Sequence, residues 1–187
     1  MARKPVHRER APTCLAGTVV ASMLRMKVAP GLHEASDEAL SIERRLAQGC
    51  PMQIGFVGLG KMGANMVLRL VVGSPDGTVR GGHRVVGFAK DPSPELTGVP
   101  GASVVGSLEE MIAQLQPPRV VWVMVPAGNP TETVISNVAS HLQSGDVIVD
   151  GGNSYYKDSV RRGQGLAARS IGFIDVGTSG GIWGRAE

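Results

Sequence analysis

Cysteine is scarce: the 187 residues contain two, Cys14 and Cys50, and both lie in the first 51. Beyond Cys50 there is no material for a disulfide framework or a cysteine-based metal site, and an intracellular compartment is the natural reading. Long apolar runs are also missing. None approaches the roughly 18 residues that a membrane helix needs, which excludes a helical spanning protein. Residues 1–51 hold eight Lys/Arg and five Asp/Glu, and the eleven of each that remain in residues 52–187 cancel. The main part of the chain therefore has no excess charge to attract nucleic acid. The four histidines, His7, His33, His83 and His141, include no pair at metal-ligand spacing, so no metal site is expected.

What is present is enough for one globular domain. With 42% hydrophobic and 19% charged residues, wholesale disorder is excluded, and 187 residues can bury a core unaided. Residues 1–51 read differently from the rest. Arg3, Lys4, Arg8 and Arg10 precede a short apolar run at residues 14–24, a pattern shared by signal and transit segments. No small-residue cleavage site follows it. The favoured expectation is a start assigned too early, with Met52 opening the folded domain. A targeting segment or disordered arm is the alternative.

From Met52 the pattern alternates. Strands are predicted over residues 52–58, 84–89, 103–105, 119–125, 146–150 and 171–176. Helices are predicted over 61–72, 107–115, 131–142 and 157–170. The first should bury Met62, Met66, Val67 and Leu70. Ser107 followed by Glu110 predicts a reciprocal capping box, and Pro117-Pro118 should stop that helix. The fourth strand is apolar on both faces, as a central parallel strand requires, and Trp122 on it is expected in the core. Residues 73–82 read as a surface loop. Strand–helix alternation calls for a parallel sheet with helices on both faces, an α/β doubly wound, Rossmann-like fold over residues 52–187.

Parallel strands deliver their carboxyl ends to one edge, where ligands bind at the reversal of strand order. Four glycine-containing runs fall there: Gly58-Leu59-Gly60-Lys61-Met62-Gly63, Pro126-Ala127-Gly128, Asp150-Gly151-Gly152-Asn153-Ser154 and Gly177-Thr178-Ser179-Gly180-Gly181. The first is a G-x-G-x-x-G placed between strand and helix, the context that makes it a dinucleotide fingerprint. Gly58 permits the turn, Gly60 the approach of a pyrophosphate, and Gly63 close helix–strand packing. At the end of the second strand Ala89 stands where an acid would contact a ribose 2′-hydroxyl, and Lys90 follows it. That favours NADP, with NAD left open by Asp91. Asn153 and Ser179 both donate and accept, and with the amides of Gly180 and Gly181 they suit a hydroxylated anionic substrate. Turn chemistry is the other reading of the same residues. Trp183 is a candidate wall of that site.

These runs, with Ala64-Asn65-Met66 after the first, Met124-Val125 before the second and Asp175-Val176 before the last, which continues through Ile182-Trp183-Gly184, resemble the decarboxylating 6-phosphogluconate dehydrogenases, particularly the shorter bacterial form. The resemblance implies oxidation of the 3-hydroxyl of 6-phosphogluconate by NAD(P)⁺ and loss of CO₂ to give ribulose 5-phosphate. It implies that residues 58–63 hold the pyrophosphate and that Ala89, Lys90 and Asp91 meet the adenosine ribose. Val125, Pro126 and Ala127 would line the nicotinamide half, Asn153 would touch cofactor and substrate, and Ser179, Gly180 and Gly181 would bind substrate. A cytoplasmic homo-oligomer is implied for the longer form. Short-form members often carry Asp where Ala89 stands, and residues 74–79 read as a loop insertion. The family's base lysine and its C-terminal helical domain have no counterpart before Glu187. The expectation is that this polypeptide alone binds dinucleotide weakly and does not turn over. Another β-hydroxyacid dehydrogenase and a non-catalytic redox-sensing module are the competing readings.

Overall fold

The computed structural model describes residues 51–73 and 81–178. The predicted leader and most of the 73–82 loop, with the loop insertion at 74–79, lie outside the described residues.

Among the described residues, six parallel strands form one sheet: β1 (Gln53–Val57), β2 (Arg84–Phe88), β3 (Ala102–Val105), β4 (Val120–Val123), β5 (Val147–Asp150) and β6 (Gly172–Asp175). Their order is β3-β2-β1-β4-β5-β6, and every neighbouring pair is parallel. The chain steps outward from β1 to β3, then crosses back to β4 on the other side of β1. The order therefore reverses between β1 and β4. Helix α1 (Lys61–Val72) packs on β1, β2 and β3, and α2 (Leu108–Ala113) on the same strands. Helix α3 (Asn129–His141) lies on β4 and β5, and α4 (Tyr156–Ala167) on β6.

Two apolar clusters among these residues hold the layers together. One joins α1 to Ile54, Phe56, Val85 and Trp122, and the other joins α2, α3 and α4 to Val57, Val121, Val123 and Ile148. Helices thus cover both faces, as the alternation predicts. Trp122 is buried and stacks on Phe56, with ring centroids 6.2 Å apart.

The buried stripe of α1 differs from the expected one. It runs through Gly63, Ala64, Val67, Leu68 and Val71, while Met62, Met66 and Leu70 sit half-buried at its flank. The smallest residues face the sheet because the helix approaches it too closely for larger ones. Helix ends also shift. Beyond Ala113 the chain tightens into three-residue bonds, Gln114 N–H to Met111 O and Leu115 N–H to Ile112 O, and the Gln53 amide occupies the Gln114 carbonyl at 2.6 Å. Helix α4 ends before Ser170 in the same manner, and Ser170 adopts a left-handed φ of 55°. Helix α3 begins two residues early, since Pro130 in its first turn loses no bond. The capping box is not reciprocal. Ser107 Oγ accepts from Glu110 N–H, but the Glu110 carboxylate takes the N–H of Gly106 instead of that of Ser107.

Asp146, fully buried ahead of β5, ties the starts of β4 and β5 together. It accepts from Arg119 N–H at 2.7 Å, Arg119 Nη1 at 3.0 Å and Gln143 N–H at 3.0 Å. Asp146→Ala would strand two backbone donors and a guanidinium. It is expected to cost about 3 kcal/mol, read as a lower urea midpoint with an unchanged slope.

A candidate dinucleotide site at the switch point

At the carboxyl edge the loops close on one another. Gly58 turns with φ 97°, and a Cβ there would collide with the Met124 carbonyl, so the β1 and β4 loops touch through backbone. A Cβ on Gly152 would stand 2.6 Å from the Val125 carbonyl, which places the β5 turn against the β4 loop. Thr178 Oγ1 donates to the Gly151 carbonyl at 3.0 Å and joins the end of β6 to the same turn. The segment after β2 is held twice, by Gly58 N–H to Phe88 O at 2.9 Å and by Ser93 N–H to Leu59 O at 2.9 Å. Ala89, Lys90 and Asp91 lie between those two bonds, with Lys90 and Asp91 exposed. The structure therefore brings four of the expected groups to one rim: residues 58–63, 89–91, 125–127 and 153. Ser179, Gly180, Gly181 and Trp183 lie outside the described residues.

Within the first loop the residues divide their work. Leu59 is fully buried, its side chain lying over Gly87, so it anchors the loop and offers the rim only backbone. A Cβ on Gly63 would overlap the Gly58 carbonyl, which brings the first turn of α1 hard against the end of β1. Gly60, by contrast, faces open space: among the described residues nothing lies within 4 Å of a Cβ built on it. Gly60 is also the N-cap of α1, without a side-chain cap or an acid in the first turn. The amides of Lys61, Met62 and Gly63 are left as donors at the positive end of the helix dipole. Lys61 is exposed beside them. This donor set and this clearance fit a pyrophosphate. Val125 is half-buried and Pro126 and Ala127 are exposed, an arrangement able to flank a planar ring.

A cluster of ions that the sequence pattern does not single out supports the β4 and β5 loops. Thr131, fully buried in α3, donates its hydroxyl to the Pro126 carbonyl at 2.9 Å. Glu132 receives both Arg161 amino groups at 2.9 Å and Arg162 Nε at 2.9 Å. Hydrogen bonds from Arg161, then from Arg162, hold its carboxyl down at about 2 against the burial that opposes them. The available signal was Arg162 lying at helical spacing between Ser159 and Leu166, on the face of α4 that is buried. A folded-state value below the ordinary 4.5 stabilises the protein above that pH, and the gain is lost as pH falls from 4.5 toward 2. With the Glu132 side chain 38% exposed, solvent screening reduces the gain to about 1 kcal/mol. Comparing the thermal midpoints of wild type and Glu132→Gln should show a gap at about pH 6 that narrows by about pH 3.

Comparison with known proteins places this geometry. The family model described as the NAD binding domain of 6-phosphogluconate dehydrogenase matches residues 53–187. The NAD(+)-dependent, decarboxylating 6-phosphogluconate dehydrogenase of Haloferax volcanii is 39% identical over 133 residues, covering 70% of this chain and 40% of that protein. The Plasmodium falciparum 6-phosphogluconate dehydrogenase, solved in its apo form and with NADP⁺ and with 6-phosphogluconate, superposes with a TM-score of 0.53 at 27% identity. That match covers 65% of this chain and 26% of the Plasmodium one. The 3-hydroxyisobutyrate dehydrogenase of Mycobacterium tuberculosis gives a TM-score of 0.57 at 28% identity, covering 72% and 43%. The chain spans less than half the length of the curated relatives it matches. Through the NAD-binding domain that carries this rim, the chain belongs to the 6-phosphogluconate dehydrogenase family.

Proposed function

We propose that this chain is the dinucleotide-binding part of a decarboxylating 6-phosphogluconate dehydrogenase, with NADP⁺ preferred over NAD⁺. The carrying observation is the uncapped amino end of α1 beside Gly60, which faces open space at the switch point of the sheet. The dinucleotide, when bound, supplies the hydride acceptor. The chain's own residues bind and orient: the amides of residues 61–63 take the pyrophosphate, and Ala89 and Lys90 leave room and positive charge for a 2′-phosphate. Val125, Pro126 and Ala127 flank the nicotinamide. Asn153 lies beside them on the adjoining turn, where its carboxamide reaches cofactor and substrate. Ser179, Gly180 and Gly181 complete the substrate side. The whole protein's reaction is then oxidation of the 3-hydroxyl of 6-phosphogluconate and loss of CO₂, yielding ribulose 5-phosphate. Removing the hydroxyl proton needs a positioned base, and no residue of the rim is assigned that role. The 187-residue polypeptide alone is accordingly proposed to bind without turnover. A cytoplasmic location and a homo-oligomeric longer form belong to the same proposal and rest on resemblance.

A second reading, a dehydrogenase for another small β-hydroxyacid, draws support from the likeness to 3-hydroxyisobutyrate dehydrogenase. The run from Asp175 through Trp183-Gly184 favours the first. Titrating the chain with NADP⁺ and NAD⁺, then with 6-phosphogluconate and 3-hydroxyisobutyrate, separates the two. Saturation by NADP⁺ with weak 6-phosphogluconate binding is expected. Binding of 3-hydroxyisobutyrate alone would support the second reading. Steady NADPH formation by the chain alone would overturn the proposed inactivity.

The glycines give a sharper check. Among the described residues Gly60→Val meets only open space, and it keeps an allowed backbone conformation, φ −67°. Its thermal midpoint should fall only slightly, as a poorer N-cap requires, while NADP⁺ affinity falls at least about tenfold, a loss of roughly 1.4 kcal/mol. Gly63→Val should instead unfold the domain at markedly lower urea, because its clash is with backbone.

A further inference from the structure

Arg162 has no part in the function proposed above, yet its side chain is 3% exposed and spans three elements. Its Nε donates to Glu132 Oε2 in the first turn of α3. Its Nη1 donates to Asp150 Oδ2 at 3.2 Å and to Ser154 Oγ at 2.9 Å. Asp150, fully buried at the end of β5, also accepts from Gly152 N–H at 3.0 Å through Oδ1 and from the Ser154 hydroxyl at 2.7 Å through Oδ2.

The consequence falls on the residue between. Gly152 and Ser154 are each bonded to Asp150, and Ser154 is bonded to Arg162 as well. Asn153 is left at the apex with φ 57°, a left-handed conformation uncommon for a residue with a side chain. Its side chain is exposed at the rim. Both neighbours are fixed from below while the carboxamide faces outward. A guanidinium serves this purpose because its planar fork reaches separate acceptors at once, where an ammonium is a single point of charge. We infer that Arg162 is a positioning residue: through Asp150 and Ser154 it sets the turn that presents Asn153 to the bound dinucleotide, and through Glu132 it fixes that turn relative to the β4 loop.

This inference rests on the proposed contact between Asn153 and cofactor, so the experiment measures that contact separately. The full chain is titrated with NADP⁺ by calorimetry as wild type, Asn153→Ala, Ser154→Ala and Arg162→Lys, and as the doubles Asn153→Ala/Ser154→Ala and Asn153→Ala/Arg162→Lys. Each single variant is expected to raise Kd about threefold to tenfold, and neither double to bind worse than Asn153→Ala alone, because the partners act through Asn153. Additive doubles would overturn the inference, since a general loosening of the fold weakens binding whether or not Asn153 is present. Unchanged Kd for Ser154→Ala and Arg162→Lys beside a weakened Asn153→Ala would overturn it alone. An unchanged Asn153→Ala would overturn the Asn153 contact in the proposed function, and this inference with it. Ser154→Ala keeps every charge paired, so the test stands even if Arg162→Lys fails to fold.

Discussion

The backbone of α1 lies so close to the end of β1 that the Gly58 carbonyl occupies the place of a Gly63 side chain. Most of the rim follows from that one approach. It starts α1 directly off the sheet edge, so the helix's unbonded amides open at the switch point instead of facing the core. It also selects the small residues of the helix face, Gly63 and Ala64, where a larger side chain would lift the helix away. Leu59 fills the space that remains over Gly87, another position where a side chain would collide. Among the described residues, the loop is held by exclusion and burial.

The β5 turn is held by a different kind of force. Burying Asp150 and Arg162 removes two charges from water, a cost that their mutual attraction offsets only when the remaining donors and acceptors are also satisfied. Here Asp150 accepts from an amide, a hydroxyl and the guanidinium. Such a cluster is a weak source of net stability. Its effect is on geometry, because Asp150 loses partners if residues 152–154 move. Arg161, more than half exposed, shares Glu132 from the solvent side and is subject to screening that hardly reaches Arg162.

Much of this fold is legible in the sequence. The parallel sheet announces itself because strands buried on both faces must be apolar throughout, and the glycine runs mark the carboxyl ends because tight turns there require them. The packed side of α1 is harder to read: hydrophobicity points to Met62, Met66 and Leu70, whereas closeness of approach selects glycine and alanine, which carry little apolar signal. Helix ends move because side chains and short-range bonds from elsewhere, such as Gln53 on the Gln114 carbonyl, end helices that local propensity would extend. The pairing within the ion cluster is hidden for another reason, although the spacing of Arg162 marks it as buried. Glu132 and Arg162 are 30 residues apart, and a pairing at that separation leaves no period in the sequence. Of the rim groups, residues 58–63, 89–91, 125–127 and 153 could be foreseen from strand ends alone.

The two ways of holding the rim suit what each side must do. A pyrophosphate is the same in every dinucleotide, so a surface of backbone amides, whose donors do not titrate and whose shape is set by missing side chains, is sufficient. The proposed contact of Asn153 with the dinucleotide instead needs a side chain in one orientation, and a lone turn asparagine has several. Fixing it requires bonds to its neighbours from something that does not itself move, and a buried ion pair anchored in two helices and a strand meets that requirement. The cost is dependence on distant residues. A hydroxyisobutyrate dehydrogenase and a phosphogluconate dehydrogenase both superpose on this domain, so the fold by itself does not select the substrate.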